Sequence, residues 1–168
     1  MTQARLLLAE SFLELILNTS ENIQTLLTAF AEKLGIGPLA TGEDGVSVLS
    51  FEEVDLLLTS DAQSMTLFAR LGTAPAGDTD LLETLLAANL FWQETQGATL
   101  SLEPYSRMVV IAQRIAASEV QTLEMLETAI ESFARSAIEW SRTIRALEAE
   151  GGTDATASSA LPASAQRA

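Results

Sequence analysis

The sequence predicts an α+β fold in which helices pack on a twisted, mainly antiparallel sheet of five strands. Apolar residues recur at helical spacing in some segments, and in five short segments they recur at the two-residue period of a strand. Within each run of strands the connections are only a few residues long, which permits antiparallel pairing and excludes crossover helices. The predicted order is α-β-β-β-α-β-β-α, preceded by an extra helix.

The chain begins with an apolar run from Leu6 to Leu17, which follows Arg5. Glu10 and Glu14 interrupt this run and no small-residue cleavage site follows it, so it does not match a signal peptide. The run is also too short to cross a hydrocarbon core of about 30 Å as a helix. We therefore predict an amphipathic helical extension over residues 1–19 and no membrane insertion.

The main domain is predicted over residues 20–150. Its first helix is expected from Ser20 to Leu34, because large apolar residues recur there at intervals of three and four, and Gly35 can end it in the left-handed conformation. Three strands are expected after Gly45. Their marker residues are Val46, Val48 and Phe51, then Val54, Leu56 and Leu58, then Met65, Leu67, Ala69 and Leu71.

A second helix is expected to begin at Asp80, which can cap it together with Glu83, and to end at Gly97. Its stripes hold Leu82, Leu85, Leu86, Asn89 and Gln93, and beside them Leu81, Ala88 and Trp92. Two strands, over 98–102 and 108–112, are then expected to pair as a hairpin.

The last helix is predicted to start with a capping box formed by Ser118 and Gln121. Its apolar stripe alternates intervals of three and four, which fits a coiled coil as well as a helix that covers a sheet, and we favour the sheet. The stripe is Leu123, Leu126, Ile130, Phe133, Ala137, Trp140, Ile144 and Leu147. Residues 151–168 contain few large apolar groups, so we predict a disordered tail there.

The composition excludes several classes of function. The formal net charge of -14 opposes phosphate backbones, so DNA or RNA binding is not expected. The chain has no histidine and no cysteine, which removes Ser-His and Cys-His nucleophile pairs and thiolate metal sites. The acidity fits attraction to a basic polypeptide, although solubility alone explains it too.

The remaining polar residues predict no catalytic residue, no metal site and no cofactor. Glu124, Glu127 and Glu131 share one helix face, but the simpler interpretation is a solvated face opposite the apolar stripe. Lys33 is the only lysine and lies at a helix end, and no glycine motif for phosphate binding occurs. A hydrolase that relies on carboxylates stays as the enzyme alternative.

The segment from Leu85 to Pro104 carries a resemblance to a known family. It contains Leu-Leu-x-Ala-Asn-Leu and then Thr-x-Gly-Ala-x-Leu-x-Leu-x-Pro. This pattern resembles the Tir chaperone (CesT-like) family of class I type III secretion chaperones, and the predicted order of elements agrees over about three-quarters of the chain. The motif residues are Ala88, Asn89, Leu90, Thr95, Gly97, Ala98, Leu100 and Pro104.

The resemblance implies a cytoplasmic bacterial homodimer that binds the N-terminal segment of a secreted effector in extended form, and it leaves the secretion ATPase open as a further partner. The dimer interface implied by the family is Leu85, Ala88, Asn89, Trp92 and Leu100. The candidate effector-binding residues are Leu27, Phe30, Leu34, Val48, Phe51 and Leu57. Ordinary core packing is the alternative for both sets. A generic acidic dimeric adaptor, which binds a folded protein, is the alternative function.

Overall fold

The computed structural model describes residues 23–37, 39, 45–51, 53–61 and 63–157, the stretch 150–157 by its backbone alone. Helix α1 is helical over 23–34. The other elements, in chain order, are β1 (Ser47–Ser50), β2 (Asp55–Ser60), β3 (Ser64–Thr73), α2 (Thr79–Ala88), β4 (Thr99–Leu102), β5 (Met108–Ala116) and α3 (Leu123–Ala157). Short 3₁₀ turns lie at Leu90–Trp92 and Ala117–Glu119. The order α-β-β-β-α-β-β-α is thus confirmed.

The five strands form one sheet in the order β1-β2-β3-β5-β4, and every neighbouring pair is antiparallel. Two tight hairpins produce the β1-β2-β3 meander, and a third joins β4 to β5. Helix α2 interrupts the meander, and the chain returns so that β5 pairs with β3 and β4 becomes an edge. The predicted α+β class, with an antiparallel five-stranded sheet, is confirmed.

Side-chain alternation along the strands explains where the core lies. In β2, Leu56 and Leu58 are buried whereas Leu57 between them is half-buried, and β3 shows the same alternation. The buried face of the sheet is covered by α3, whose buried residues include six of the eight in the predicted stripe, while Leu123 and Leu147 are partly buried. The six buried residues are Leu126, Ile130, Phe133, Ala137, Trp140 and Ile144. The sheet-covering interpretation of this helix is therefore right.

The far end of β3 touches α3 closely. Its register with β5 shifts between Arg70 and Gly72, and a Cβ atom on Gly72 would lie 2.8 Å from Cγ2 of Ile144. The absence of a side chain at Gly72 therefore allows the helix to approach the strand. The N–H of Thr73 donates to Oε1 of Glu148 at 2.6 Å, and the hydroxyl of Ser141 donates to the carbonyl of Leu71 at 3.3 Å.

The start and end of α2 differ from the prediction. Asp78, not Asp80, is the N-cap, since its carboxylate accepts a hydrogen bond from the N–H of Leu81 at 2.9 Å. The helix ends at Ala88, well before Gly97. The reason is conformational, because Phe91, Trp92 and Gln96 have positive φ angles that an α-helix does not accommodate.

The predicted cap of α3 is wrong as well. Ser118 lies in the 3₁₀ turn Ala117–Glu119, and the α-helix begins at Leu123. The turn is fixed because the N–H of Ala117 donates to the carbonyl of Gln63 at 2.8 Å and Val120 is buried. Thr122 is the residue that caps α3, because its hydroxyl accepts from the N–H of Met125 at 3.2 Å.

Helix α3 continues to Ala157, past the boundary predicted at residue 150. Extending an existing helix needs no new nucleation, so α3 can continue through Gly151 and Gly152 although both have a low helix propensity. The rest of the predicted tail, 158–168, and the predicted extension, 1–19, lie outside the described residues.

We predict that Thr122→Ala lowers the free energy of unfolding by about 1 kcal/mol, as is typical for the loss of an N-cap side chain. Ser118→Ala is the control, and its effect should stay within about 0.5 kcal/mol because the residue is exposed in a turn. Urea denaturation followed by circular dichroism measures both. A larger loss for Ser118→Ala than for Thr122→Ala would restore the original assignment.

Candidate functional site

An apolar groove of about 540 Å³ lies between the end of α1 and strand β1. Leu34, Ile36 and Val48 are each about half exposed in it, at 52%, 54% and 50%. The groove is lined by Leu34, Ile36, Leu39, Val48, Leu49, Ser50 and Phe51. Exposed large apolar side chains gathered in one concave surface indicate a binding site rather than ordinary surface.

Local geometry explains why these side chains reach the groove. Gly35 and Gly37 have φ angles of 68° and 70°, so the chain turns sharply after α1 and presents Ile36 between them. In β1, Leu49 is buried and Val48 therefore points to the opposite face. The register pairs Val48 with Leu57, and Leu57 with Phe68, which forms an apolar row on the face away from α3.

A second depression of about 350 Å³ continues from Phe51 along α3. Its floor includes Ala134 and Ile138, and its rim is charged. The full lining is Phe51, Glu131, Ala134, Arg135, Ile138, Glu139 and Arg142. Phe51 belongs to both depressions, so the apolar surface extends from the end of α1 to the outer side of α3.

An ion pair fixes the turn between β1 and β2 beside this surface. The guanidinium of Arg142 donates two hydrogen bonds to the carboxylate of Glu53. These bonds lower the pKa of Glu53 below its ordinary value, and the carboxylate raises the pKa of Arg142. On the other side of the groove, Nζ of Lys33 lies 2.7 Å from a carboxylate oxygen of Glu127. Both pairs tie the walls of the groove to α3.

Strand β1 is an edge of the sheet, and its outer side carries backbone groups of alternate residues. The N–H of Phe51 donates to the carbonyl of Val54 at 3.0 Å, so Phe51 and Leu49 direct their groups toward β2. Val48 and Ser50 consequently direct theirs outward. An extended polypeptide could pair there while its side chains enter the groove.

The structure brings together three of the six predicted effector-binding residues. Leu34, Val48 and Phe51 line the groove, and Leu57 lies next to Val48 across the ladder. Leu27 and Phe30 are 4% and 5% exposed and belong to the core, so the core alternative describes them. The pattern missed Ile36 and Leu39, which could have been noticed as large apolar residues in a loop rich in glycine and proline.

The predicted dimer residues divide in a similar way. Leu85, Ala88 and Leu100 are buried inside the chain's own core, as the core alternative expects. Asn89 bonds both backbone groups of Leu100, its Nδ2 donating to the carbonyl at 2.9 Å and its Oδ1 accepting from the N–H at 2.8 Å. Only Trp92 of the set is largely exposed.

The exposed apolar residues near α2 are different ones. Leu86, Leu90, Phe91 and Trp92, which we call the 86–92 segment, are 71%, 64%, 76% and 55% exposed. Phe91 and Trp92 both have positive φ angles, which are strained for aromatic residues. The helical spacing of this region showed two adjoining apolar stripes, but it did not show which of them the rest of the chain covers.

Three residues of α3, one turn apart, hold the strained connection in place. Trp140 donates from Nε1 to the carbonyl of Glu94 at 3.2 Å, and Ser136 donates to the carbonyl of Thr95 at 3.2 Å. The hydroxyl of Ser132 donates to Oε1 of Gln96 at 2.9 Å. The aromatic pair is thus presented by a fixed loop.

The described residues contain no group of three acidic side chains that could hold a metal ion. Another cleft, of about 700 Å³ between β5 and the start of α3, has a mixed lining that includes Glu119, Glu124 and Met125. Glu119 accepts from the N–H of Ala116 at 2.9 Å, which is a structural role. Among all the residues that the structure describes, no helix combines the length and the apolar character required for a transmembrane span.

A single sheet covered by α3, with an apolar groove beside the edge strand β1, is the architecture expected of a class of protein that binds polypeptides. The chain belongs to the Tir chaperone protein (CesT) family, whose sequence profile matches residues 25–141. The resemblance seen in the segment 85–104 is thereby confirmed, and the family is one of chaperones.

Relatives and solved structures agree with this assignment. The Tir chaperone of Escherichia coli O157:H7 is 29% identical over 119 residues, which cover 70% of this chain and 76% of that one, and the Tir chaperone of Citrobacter freundii gives the same figures. A chain of the ExsC-ExsE complex superposes with a TM-score of 0.61 at 23% identity and covers 73% of this chain and 93% of that one. A chain of the HopA1-SchA chaperone-effector complex has a TM-score of 0.56 at 21% identity and covers 72% and 91%.

We predict that the Glu53–Arg142 pair stabilises the fold at neutral pH and not in acid. The pKa of Glu53 is lower in the folded state than in the unfolded state, where it is about 4.3. The stabilisation that the pair gives to the fold is therefore present above the unfolded pKa and is lost as the pH falls through the folded pKa. A double-mutant cycle with Glu53→Gln and Arg142→Gln, measured by urea unfolding between pH 7 and pH 3, should give a coupling energy that decreases with the pH. A coupling energy that is constant over this range would contradict the assignment.

Proposed function

We propose that this protein is a type III secretion chaperone that binds the N-terminal segment of a secreted effector in extended form. In this function it keeps the segment soluble and secretion-competent in the bacterial cytoplasm and presents it to the export apparatus, with the secretion ATPase as a further contact. The observation that carries the proposal is the groove with its half-exposed apolar side chains, which lies beside the edge strand β1.

The groove and the edge provide the two kinds of contact that an extended segment needs. Backbone groups of Val48 and Ser50 can form a ladder with an added strand, and this gives affinity without regard to sequence. The apolar side chains of Leu34, Ile36 and Phe51 can receive alternate side chains of that strand, which gives specificity. The net charge of -14 adds long-range attraction for a segment that carries lysine or arginine.

Solved structures with the same fold support the binding of another polypeptide. The HopA1-SchA structure is a chaperone-effector complex, and a further structure of this fold, the Yersinia pestis type III secretion chaperone SycH, was solved with a fragment of YscM2. The second of these shares 18% identity and a TM-score of 0.54 with this chain. A common fold in complexes with other polypeptides is what the proposal expects.

Groove variants test the proposal directly. The chain is co-expressed with the product of the neighbouring reading frame, the complex is purified, and its affinity is measured by calorimetry. Val48→Asp and Leu34→Asp should each weaken binding on the order of ten-fold or more, because each places a charge in a contact that becomes desolvated. Met125→Asp, which alters an equally exposed apolar residue on α3, is the control and should leave the affinity unchanged.

Protease protection separates the chaperone from an adaptor that binds a folded protein. A chaperone should shield an extended segment of its partner from a protease, and denaturing the partner beforehand should not abolish binding. An adaptor would lose its partner on denaturation and would protect no segment. Loss of binding in the Met125→Asp control together with both groove variants would remove the groove assignment.

We further propose that the chain forms a homodimer through the 86–92 segment. Four largely exposed apolar side chains lie close together in this segment, and a fixed loop presents two of them at positive φ. Strain of this kind persists only where the surrounding structure compensates for it, and such strain clusters at functional surfaces. A twofold contact would bury these side chains against their own copies.

Trp92→Glu and Phe91→Glu should convert the dimer to a monomer, since each places a carboxylate in the apolar contact. Light scattering coupled to size exclusion gives the mass, which should fall by half. Tyr105→Glu is the control, because Tyr105 is an aromatic residue that is 95% exposed in a different turn. A wild-type chain that is monomeric at high concentration would refute the dimer and leave the groove proposal standing.

A further inference from the structure

Strand β4 is the other edge of the sheet, and its outward backbone groups can be identified from the ladder. The N–H of Glu103 donates to the carbonyl of Met108 at 2.8 Å, so this pair closes the hairpin. By the alternation of an antiparallel ladder, Ser101 and Thr99 also direct their groups toward β5. Ala98, Leu100 and Leu102 therefore direct theirs away from the sheet, where a further strand would pair.

Leu100 does not offer its outward groups to solvent. The side-chain amide of Asn89 lies against them, with Nδ2 donating to the carbonyl at 2.9 Å and Oδ1 accepting from the N–H at 2.8 Å. One donor and one acceptor in this arrangement reproduce the pair of bonds that a residue of a neighbouring strand would form. A primary amide is the side-chain group that can provide both.

Thr95 closes the next outward position in the same manner. The N–H of Ala98 donates to the carbonyl of Thr95 at 3.1 Å, and the hydroxyl of Thr95 donates to the carbonyl of Ala98 at 2.6 Å. Thr95 is completely buried, and Ser136 of α3 donates to its carbonyl at 3.2 Å. Both backbone groups of Ala98 and both of Leu100 are thus bonded within the chain.

The strained path after α2 is what places these two residues along β4. Asn89 follows the last residue of α2, and the positive φ angles of Phe91, Trp92 and Gln96 fold the chain back, so that Thr95 lies beside Ala98. The strain thus has a structural use besides exposing the aromatic pair.

We propose that Asn89 and Thr95 form a strand-edge lock over Leu100 of β4 and the preceding Ala98, which leaves Leu102 as the single outward residue of this strand, so that an added polypeptide strand pairs with the sheet at β1 and not at β4. The proposal rests on the strand addition proposed above and deepens it by assigning the edge. It also explains why the motif combines these two residue types, a primary amide and a β-hydroxyl, on either side of the 3₁₀ turn. Edge strands that are left open invite unspecific pairing, and the lock removes one of the two.

The test uses variants that open β4 while the rest of the chain is unchanged. Asn89→Ala removes both bonds to Leu100, Asn89→Asp keeps the acceptor and removes the donor, and Thr95→Val removes the hydroxyl donor. Thr99→Val is the matched control, because Thr99 is exposed on the same strand and its backbone groups face β5. Circular dichroism and thermal unfolding establish that each variant is folded.

The probe is a synthetic ten-residue peptide that alternates valine with lysine, chosen for its extended conformation and its positive charge. Calorimetry gives its stoichiometry, and hydrogen exchange read by NMR gives its position. The wild type and Thr99→Val should bind one peptide per protomer, with added protection at Val48 and Ser50. The double variant Asn89→Ala with Thr95→Val should bind two, with added protection at Leu100.

Hydrogen exchange without the peptide gives a second measurement. The amide of Leu100 should exchange on the order of ten-fold faster in Asn89→Ala, because its acceptor is removed. In Asn89→Asp it should stay slow, since the acceptor is kept. A purely stabilising role for Asn89 would instead speed exchange over the whole sheet in proportion to the lost stability.

The outcomes distinguish the two proposals. One peptide bound at β1 in every folded variant, with unchanged exchange at Leu100, would overturn the edge lock and leave the proposed function intact. Binding of the peptide to the wild type at β4 would also overturn the lock. A wild type that binds neither this peptide nor an effector segment at β1 would overturn the proposed function, and faster exchange confined to Leu100 in Asn89→Ala would still support the lock.

Discussion

The packing of α3 across one face of the sheet is the contact on which the rest of the structure depends. Its apolar stripe buries the inner residues of β2, β3 and β5, and its polar residues fix what lies around the sheet. Arg142 holds the turn before β2, Glu148 holds the end of β3, and Trp140 holds the connection after α2. Because one rigid helix makes all these contacts, the groove and the exposed aromatic pair keep fixed positions relative to the sheet.

A sheet covered on one face still has two edges, and this chain treats them differently. At β4 the amide of Asn89 and the hydroxyl of Thr95 occupy backbone positions that another strand would use. At β1 the neighbouring feature is an apolar groove, and the half-exposed Val48 lies in it. The difference lies in local chemistry rather than in strand length, since both edge strands have four residues. An added strand would therefore gain apolar burial and backbone pairing at the same edge.

The fold could be predicted from the sequence because its signals are local. Periodicity located each strand and the stripe of α3 without knowledge of the partners in space. Caps were less predictable, because Ser118 and Thr122 are equally suitable residues and only the bond from Ala117 to Gln63 decides between them. The site was the least predictable. Leu85 and Leu86 both fit the helical spacing of apolar residues. Leu85 is buried and Leu86 is exposed, and this difference depends on how the whole helix packs on the sheet.

The positions of the two exposed apolar clusters decide whether the proposed contacts can coexist. Exposed apolar residues that are isolated, such as Tyr105, are normal on protein surfaces, whereas clusters indicate contacts. One cluster adjoins β1, and the 86–92 segment adjoins β4 through the bonds of Asn89. The three strands β2, β3 and β5 separate these edges. A second copy at the 86–92 segment would therefore leave β1 of each protomer free, and each protomer of such a dimer could hold part of one extended polypeptide.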